Sequence, residues 1–202
     1  MGIMQITQLE VNVMKYIPLL EFPGLIIMVL IRSAILRKQG IKAIVFGVTD
    51  KTDFVLIPVI LFFLYSIVSS IFGLPFPTIL IKPFWDIDLL NILAIVICTV
   101  SLIWFGITLN IFGKSFRVGI DENTTEKLIT KGTFSISRNP IYLAFMTFFI
   151  GIFMVYPHIT SSIGLLFIIA MIHRQILREE KFLKNHYGKE YQEYCDKVRR
   201  YI

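Results

Sequence analysis

The sequence predicts an all-α, multi-pass membrane protein with about five transmembrane helices, the last two forming a helical hairpin. Two observations support this fold class. Hydrophobic residues make up 55% of the 202 residues and charged residues only 17%, whereas charged residues form about a quarter of a typical soluble domain. The apolar residues are also grouped in segments close to the roughly 20 residues that a helix needs to cross a bilayer. This composition excludes an ordinary soluble domain and intrinsic disorder.

Five apolar segments qualify or nearly qualify as membrane spans: residues 17–36, 54–72, 89–112, 141–156 and 159–177. We interpret the first as a retained helix rather than a signal peptide, because no Lys or Arg precedes Lys15 and no small-residue cleavage site follows the segment. The third is the longest, and the apolar part of the fourth is short. Only Pro157 and His158 separate the fourth and fifth, so we expect a tight helical hairpin there.

A further helix is predicted after the fifth span. Apolar and aromatic residues recur there every three or four positions, at Leu183, Tyr187, Tyr191, Tyr194, Val198 and Tyr201. This spacing predicts an amphipathic cytoplasmic helix that docks on the membrane surface or over the ends of the spans. We therefore expect one membrane domain in two parts. Residues 1–112 carry the first three spans with their connectors, and residues 113–202 form a catalytic-type region.

The basic residues that give the net charge of +6 are distributed according to the predicted topology. Eighteen of the 20 Lys and Arg residues lie after the first span, after the third span or in the C-terminal tail, and only Lys15 and Lys82 lie on the other side. The positive-inside rule then predicts an N-terminus outside and a cytoplasmic C-terminus. We expect an integral, multi-pass protein of a prokaryotic cell membrane. The basic residues would contact membrane lipids rather than nucleic acid, and no metal-ligand spacing is visible.

Polar residues are concentrated at both ends of the predicted hairpin. Arg138, Asn139 and Pro140 lead into the fourth span, and residues 174–180 leave the fifth. A tight hairpin brings these ends together, where the first turn of a helix favours anions. Arg174 is one helical turn from Arg178, so both project on one face. We expect a pocket of mixed charge at the membrane boundary.

These residues form two motifs that resemble a known family. Gly-x-Phe-x-x-x-Arg-Asn-Pro-x-Tyr at residues 132–142 is similar to a motif of isoprenylcysteine carboxyl methyltransferases and the related phospholipid methyltransferases. The tail from Arg-Glu-Glu at 178–180 to Arg-Tyr at 200–201 resembles their C-terminal signature. The resemblance covers roughly residues 98–202. It does not extend to the first half, which we expect to help select the methyl acceptor.

The resemblance implies an integral-membrane methyltransferase that uses S-adenosylmethionine and takes a lipophilic acceptor laterally from the bilayer. Carried over by match, the cofactor-binding candidates are Gly132, Phe134, Arg138, Asn139, Pro140, Tyr142, Glu179 and Glu180. Arg174 with Glu179 is the catalytic candidate for the acceptor pair. Asn139 stands where the family usually has His. Its side-chain amide can form hydrogen bonds but cannot take up and release a proton as an imidazole does.

The chemical class of the acceptor stays open at this point. An isoprenylcysteine-like carboxylate or a thiolate needs no general base, whereas a lipid amine or a neutral thiol requires Glu179, Glu180 or His173. Two other functions also remain. One is an NADPH-dependent membrane reductase of the steroid-reductase kind, whose C-terminal hairpin and basic tail look distantly similar. The other is a non-enzymatic membrane scaffold, in which the charges serve topology alone.

Overall fold

Within the described residues, every regular element is helical. The computed structural model describes residues 15–41, 54–113, 116 and 127–202. In chain order the elements are α1 (Ile17–Lys38), α2 (Leu56–Phe72), α3 (Thr78–Ile81), α4 (Asp88–Phe112), a 3-10 helix (Gly132–Ser135), α5 (Pro140–Val155), α6 (Ile159–Tyr187) and α7 (Lys189–Lys197). The all-α prediction is therefore confirmed.

Each predicted span coincides with a helix. By length and composition, α1, α4 and α6 are long and apolar enough to cross a membrane, whereas α2 and α5 are shorter apolar helices of 17 and 16 residues. The fifth helix does not end near residue 177 but continues to Tyr187. Ten further residues extend it by about 15 Å, so its polar last turns project beyond the apolar part of the bundle.

The helices pack closely around α4. That helix lies against α1 and α5, while α2 packs mainly on α6. Gly151 of α5 makes a close approach possible, because a Cβ atom there would lie 2.5 Å from the Sγ atom of Cys98 on α4. Small residues at such contacts allow membrane helices to approach each other closely.

The predicted hairpin corner is present between α5 and α6. His158 is the N-cap of α6: its Nδ1 atom accepts a hydrogen bond from the backbone N–H of Ser161 (3.0 Å), and its own N–H donates to Ser161 Oγ (3.0 Å). This reciprocal capping satisfies two backbone donors, and α6 begins at Ile159, directly after the capping residue. The hairpin consequently brings the start of α5 next to the end of α6.

The C-terminal amphipathic helix is present but shorter than its pattern predicted. Gly188 adopts a φ of +55°, which separates α6 from α7, and a residue with a Cβ rarely adopts that conformation. The helix α7 buries Tyr191 and Tyr194 and ends before Val198, whose backbone is extended. Residues 40–53 form the predicted cytoplasmic connector between the first two spans; its residues 42–53, like the basic residues Lys114 and Arg117, lie outside the described part of the chain.

Candidate active site

A single carboxylate organises the polar residues at the end of the hairpin. Glu180 of α6 accepts hydrogen bonds at Oε1 from Arg138 Nη2 (3.2 Å) and Asn139 Nδ2 (3.0 Å). Its Oε2 atom accepts two more, from Nε (3.0 Å) and Nη2 (2.8 Å) of Arg200. We call these four residues the Glu180 cluster. They come from three separate segments: the start of α5, the end of α6 and the C-terminal tail.

The C-terminal tail holds this cluster in place through backbone bonds. The N–H of Arg138 donates to the carbonyl of Arg199 (3.0 Å), and Arg138 Nη1 donates to the carbonyls of Cys195 (3.2 Å) and Val198 (3.1 Å). Asn139 Nδ2 is also within 3.3 Å of the carbonyl of Arg200. The tail therefore crosses the start of α5 and fixes the orientation of both side chains.

The charges of the Glu180 cluster are mostly removed from solvent. The side chains of Arg138 and Glu180 are 12% and 11% exposed, against 37% for Arg200. The hydrogen bond to Glu180 raises the pKa of Arg200 above its ordinary value, so this guanidinium stays charged. Buried charges of this kind require partners, yet Arg138 Nε is buried without a hydrogen-bond partner among the described residues.

Three of the candidate cofactor residues shape the site through the backbone and packing. Gly132 has a φ of +64°, and a Cβ there would lie 2.5 Å from Cδ1 of Ile111. Phe134 is buried with its ring centroid 5.0 Å from that of Phe112. Pro140 begins α5, and its carbonyl accepts a hydrogen bond from the indole of Trp104 (3.0 Å). The 3-10 helix is thereby fixed against the end of α4.

The amphipathic helix α7 covers this end of the bundle. Tyr194 donates a hydrogen bond to the carbonyl of Phe134 (2.6 Å). Burial raises the pKa of Tyr194 to about 12, so the hydroxyl remains a neutral donor at physiological pH. The predicted docking of the amphipathic helix over the ends of the spans is therefore what the structure shows.

A large apolar cavity lies beside the Glu180 cluster. It has a volume of about 440 Å³ and is bounded by α1, α2, α4, α5 and α6. Its apolar lining residues are Phe22, Leu25, Ile26, Val29, Leu30, Leu56, Ile57, Ile60, Leu61, Leu64, Phe105, Phe116, Ile141, Phe145, Phe149, Met171 and Ile172. The polar lining is confined to one end, which we call the mouth: Tyr142, Arg174, Gln175 and Arg178.

Tyr142 connects the cavity to the polar residues. Its ring lines the cavity, and its hydroxyl donates to Glu179 Oε1 (2.5 Å). The same oxygen accepts from Gln175 Nε2 (3.0 Å), and Gln175 Oε1 accepts from Arg178 Nη1 (3.1 Å). Glu179 therefore sits at the mouth, while its neighbour Glu180 faces the cluster. This division between two adjacent carboxylates was not visible in the sequence.

The three candidate general bases have different surroundings. Both oxygens of Glu180 already accept two hydrogen bonds each. His173 Nδ1 lies 2.5 Å from the hydroxyl of Tyr201. Glu179 accepts hydrogen bonds from Tyr142 and Gln175, which both line the mouth of the cavity. Arg174, its predicted partner, lines that mouth as well.

Sequence reasoning missed two parts of the site. Arg200 was assigned only to the tail motif, although its guanidinium closes the Glu180 cluster. The cavity walls formed by α1 and α2 were also missed, because residues such as Ile26 and Leu61 repeat with the same helical spacing as residues that face lipid. Among the described residues, no group of three or more His, Cys, Asp or Glu side chains could hold a metal ion.

Comparison with known proteins shows that this chain is similar to one family of methyltransferases. The family model described as phospholipid methyltransferase matches residues 88–190. A probable protein-S-isoprenylcysteine O-methyltransferase of Oryza sativa subsp. indica is 27% identical over 121 residues, covering 58% of this chain and 62% of the relative. Protein-S-isoprenylcysteine O-methyltransferase B of Arabidopsis thaliana is 27% identical over 109 residues, covering 46% and 55%. The chain thus spans less than two thirds of these curated relatives, and no solved structure matches it.

The matched stretch coincides with only part of the site. It contains the start of α5, the hairpin, Glu179 and Glu180, whereas Arg200 and the cavity walls of α1 and α2 lie outside it. The similarity therefore covers the polar end except Arg200, together with the cavity residues of α4, α5 and α6, but not the cavity walls of α1 and α2.

Proposed function

Because the chain belongs to the phospholipid methyltransferase family, we propose that it transfers a methyl group from S-adenosylmethionine to a lipophilic acceptor at the cytoplasmic face of a membrane. The observation that carries the proposal is the Tyr142–Glu179 hydrogen bond, which links an apolar cavity to Glu179, the neighbour on α6 of the carboxylate that organises the charged Glu180 cluster. A lipophilic acceptor needs the first environment for its tail, and a charged cofactor needs the second.

The polar residues fit the proposed cofactor. Arg138 Nε is a buried donor without a partner in the described part of the chain, and it would donate to the carboxylate of the amino-acid moiety. Among the described residues, the side chain of the N-cap residue Asn139 makes no capping bond to the first turn of α5, where the helix dipole also favours an anion. The ring of Tyr142 would face the sulfonium, to which aromatic faces are attractive. When bound, the cofactor supplies an activated methyl group for in-line displacement.

We assign different roles to the two adjacent carboxylates. Glu180 holds Arg138, Asn139 and Arg200 in fixed positions, so it orients the groups that would contact the cofactor. Glu179 lies at the mouth and accepts from Tyr142 and Gln175, so it would hold these two residues in place beside the reacting end of the acceptor. The chain therefore contributes alignment and exclusion of water rather than a reactive group of its own.

The mouth favours an anionic acceptor. Arg174 and Arg178 both line it, and a guanidinium binds a carboxylate through paired hydrogen bonds. A carboxylate acceptor needs no general base, and the name of the similar rice and Arabidopsis proteins describes O-methylation of isoprenylcysteine. We therefore propose a lipophilic carboxylate as the acceptor. An acceptor amine or thiol would instead give its proton to Glu179.

A labelled-methyl assay tests the proposal. Purified protein in lipid nanodiscs is incubated with methyl-labelled S-adenosylmethionine and a membrane extract, and the labelled product is identified by mass. We expect a lipophilic methyl ester, which base hydrolysis cleaves. Glu179→Gln should lower transfer, whereas Glu193→Gln, a control on the exposed surface of α7, should not. A folded protein that forms no labelled product, or that NADPH stabilises in place of S-adenosylmethionine, would contradict the proposal.

The orientation of the site is tested separately. We propose that the mouth faces the cytoplasm, since most of the basic residues lie on that side. A reporter that is active only outside the cytoplasm, fused after Ile202, should be inactive. The same reporter fused after Lys82, on the opposite side, should be active. The reverse pattern would place the mouth outside.

A further inference from the structure

The end of the cavity opposite the mouth is closed by aromatic rings. Phe149 lies at its centre, with ring centroids 6.1 Å from Phe22, 5.7 Å from Phe63 and 6.3 Å from Phe148. We call these four rings the aromatic floor. Three of them, Phe63, Phe148 and Phe149, are at most 2% exposed. They belong to the packed core of α2 and α5, so the cavity has a firm end.

The cavity has a definite depth between its mouth and this floor. Tyr142 at the mouth and Phe149 at the floor lie on the same helix, seven residues apart, which corresponds to about 10 Å. A volume of about 440 Å³ holds on the order of 15 groups of the size of a water or a methylene. Because the polar lining residues in the described part of the chain all lie at the mouth, a bound amphiphile would place its tail toward the floor.

The side of the cavity is accessible from the surrounding lipid. Ile26 and Leu30 of α1 and Ile57 and Leu61 of α2 line the cavity, yet each is 46–61% exposed on the outer surface of the bundle. An apolar tail is thus able to pass from the bilayer between α1 and α2. The rings of the floor, in contrast, are packed against each other.

We propose that the aromatic floor, through Phe22, limits the length of the acceptor tail that the enzyme can bind. This inference rests on the proposed function, since it assigns the tail of the acceptor to the same cavity. Packed cores do not yield to extra methylene groups without displacing side chains, so a tail that reaches the floor must stop there. Phe22 is the ring that α1 contributes, and it is only half-buried.

Phe22 is the floor residue best suited to substitution. Truncating Phe63, Phe148 or Phe149 would leave a void in the buried core, and such changes often unfold a protein. Phe22→Ala removes a ring of about the size of one isoprenoid unit and should extend the cavity. Leu64→Phe, at another lining position of α2, should shorten it. Phe167→Ala is the matched control, because Phe167 is 55% exposed on α6 and does not line the cavity.

The test varies only the tail of the probe. N-acetyl-cysteine carrying an S-geranyl, S-farnesyl or S-geranylgeranyl group is added to each folded variant in nanodiscs. Binding is measured as the rise in unfolding temperature, and turnover as labelled-methyl transfer. We expect the geranyl and farnesyl probes to stabilise the wild type and Phe167→Ala, and the geranylgeranyl probe not to stabilise them. Phe22→Ala should also accept the geranylgeranyl probe, with at least about a tenfold gain in its transfer relative to farnesyl. Leu64→Phe should accept only geranyl.

The outcomes separate this inference from the proposed function. Tail-dependent stabilisation that shifts in these directions without any methyl transfer would support the length limit and contradict the methyltransferase assignment. Methyl transfer with the same tail preference in all four proteins would overturn the length limit alone. The absence of stabilisation by every probe would overturn the assignment of the cavity to the acceptor tail.

Discussion

Arg200 donates two hydrogen bonds to one oxygen of Glu180, from Nε at 3.0 Å and from Nη2 at 2.8 Å. The other oxygen of the same carboxylate accepts from Arg138 and Asn139. One acidic side chain thus balances two guanidinium groups at the junction of α5, α6 and the C-terminal tail. The geometry of the proposed cofactor site depends on this carboxylate even if Glu180 itself never touches the cofactor.

Substituting Glu180 should therefore affect stability as well as activity. Glu180→Ala leaves Arg138 as a mostly buried charge without its carboxylate, and breaking a buried ion pair on one side costs about 3 kcal/mol. Arg200→Met should cost less, about 1 kcal/mol, because Arg200 is more exposed. The measurement is the free energy of unfolding in detergent. The double variant should lose less than the sum of the two single losses, because the residues are directly coupled.

The exposed neighbour of Arg200 provides the control for this cycle. The side chain of Arg199 is exposed, and only its carbonyl takes part in the tail contacts. Arg199→Met should leave the free energy of unfolding within about 0.5 kcal/mol of the wild type. Strictly additive losses for Glu180→Ala and Arg200→Met would show that the two residues act independently.

Tyr142→Phe should lower activity while sparing the fold. The ring that lines the cavity is kept, but the hydroxyl that donates to Glu179 is removed. A hydrogen bond to a charged group contributes about 1.5–3 kcal/mol, so kcat/KM should fall by at least about tenfold. Initial rates of methyl transfer provide the measurement. Tyr65→Phe removes a hydroxyl that donates to the carbonyl of Pro75 in an exposed turn, and it should leave the rate unchanged.

Gly132→Ala should destabilise the 3-10 helix for two independent reasons. The backbone of Gly132 has a φ of +64°, and the new Cβ would lie 2.5 Å from Cδ1 of Ile111. Together these should lower the free energy of unfolding by about 1–3 kcal/mol. Gly24→Ala, within α1, is the matched control. Its new Cβ would lie 3.6 Å from Cδ2 of Leu102, which is an ordinary van der Waals distance. An equal effect of the two substitutions would contradict this explanation.

Much of the fold could be predicted from the sequence because hydropathy alone defines the helices. The five apolar segments and the Pro157–His158 corner predicted the spans and the hairpin within a few residues, except that α6 continues ten residues past its predicted end at 177. The end of the amphipathic pattern was less predictable. Val198 and Tyr201 continue the helical spacing, but Gly188 interrupts the helix and the tail leaves it to bond with Arg138. The periodicity of the sequence does not reveal that contacts with a distant residue such as Arg138 compete with continuation of the helix.

The candidate site was predictable only where the hairpin brings two segments together. The tight hairpin predicted that residues 138–140 and 174–180 would meet, and the structure adds that Arg138 and Glu180 form an ion pair at 3.2 Å. Nothing in the sequence distinguishes Glu179 from Glu180, because their different surroundings arise from the direction in which each leaves α6. The inward-facing positions of α1, such as Phe22, were equally hidden, since lipid-facing and cavity-facing residues are both apolar.

His158 should make the stability of the protein sensitive to acid. Its side chain is 1% exposed, and burial lowers its pKa from 6.5 to about 4. The unfolded chain therefore takes up a proton before the folded protein does. The contribution is complete above pH 6.5 and is lost progressively as the pH falls toward 4, by about 3 kcal/mol in total. Protonation would also abolish the acceptor at Nδ1 that caps the N-terminus of α6.

His158→Asn isolates this effect, because asparagine is a favoured N-cap residue and does not titrate in this range. The free energy of unfolding in detergent is measured at pH 7 and at pH 4.5 for both proteins. Carboxylates elsewhere titrate alike in the two and cancel in the comparison. The wild type should lose about 2–3 kcal/mol more than His158→Asn between these pH values. Equal losses would mean that His158 is protonated as readily in the folded protein as in the unfolded chain. We do not expect this result, because His158 is buried and its Nδ1 atom accepts a hydrogen bond from Ser161.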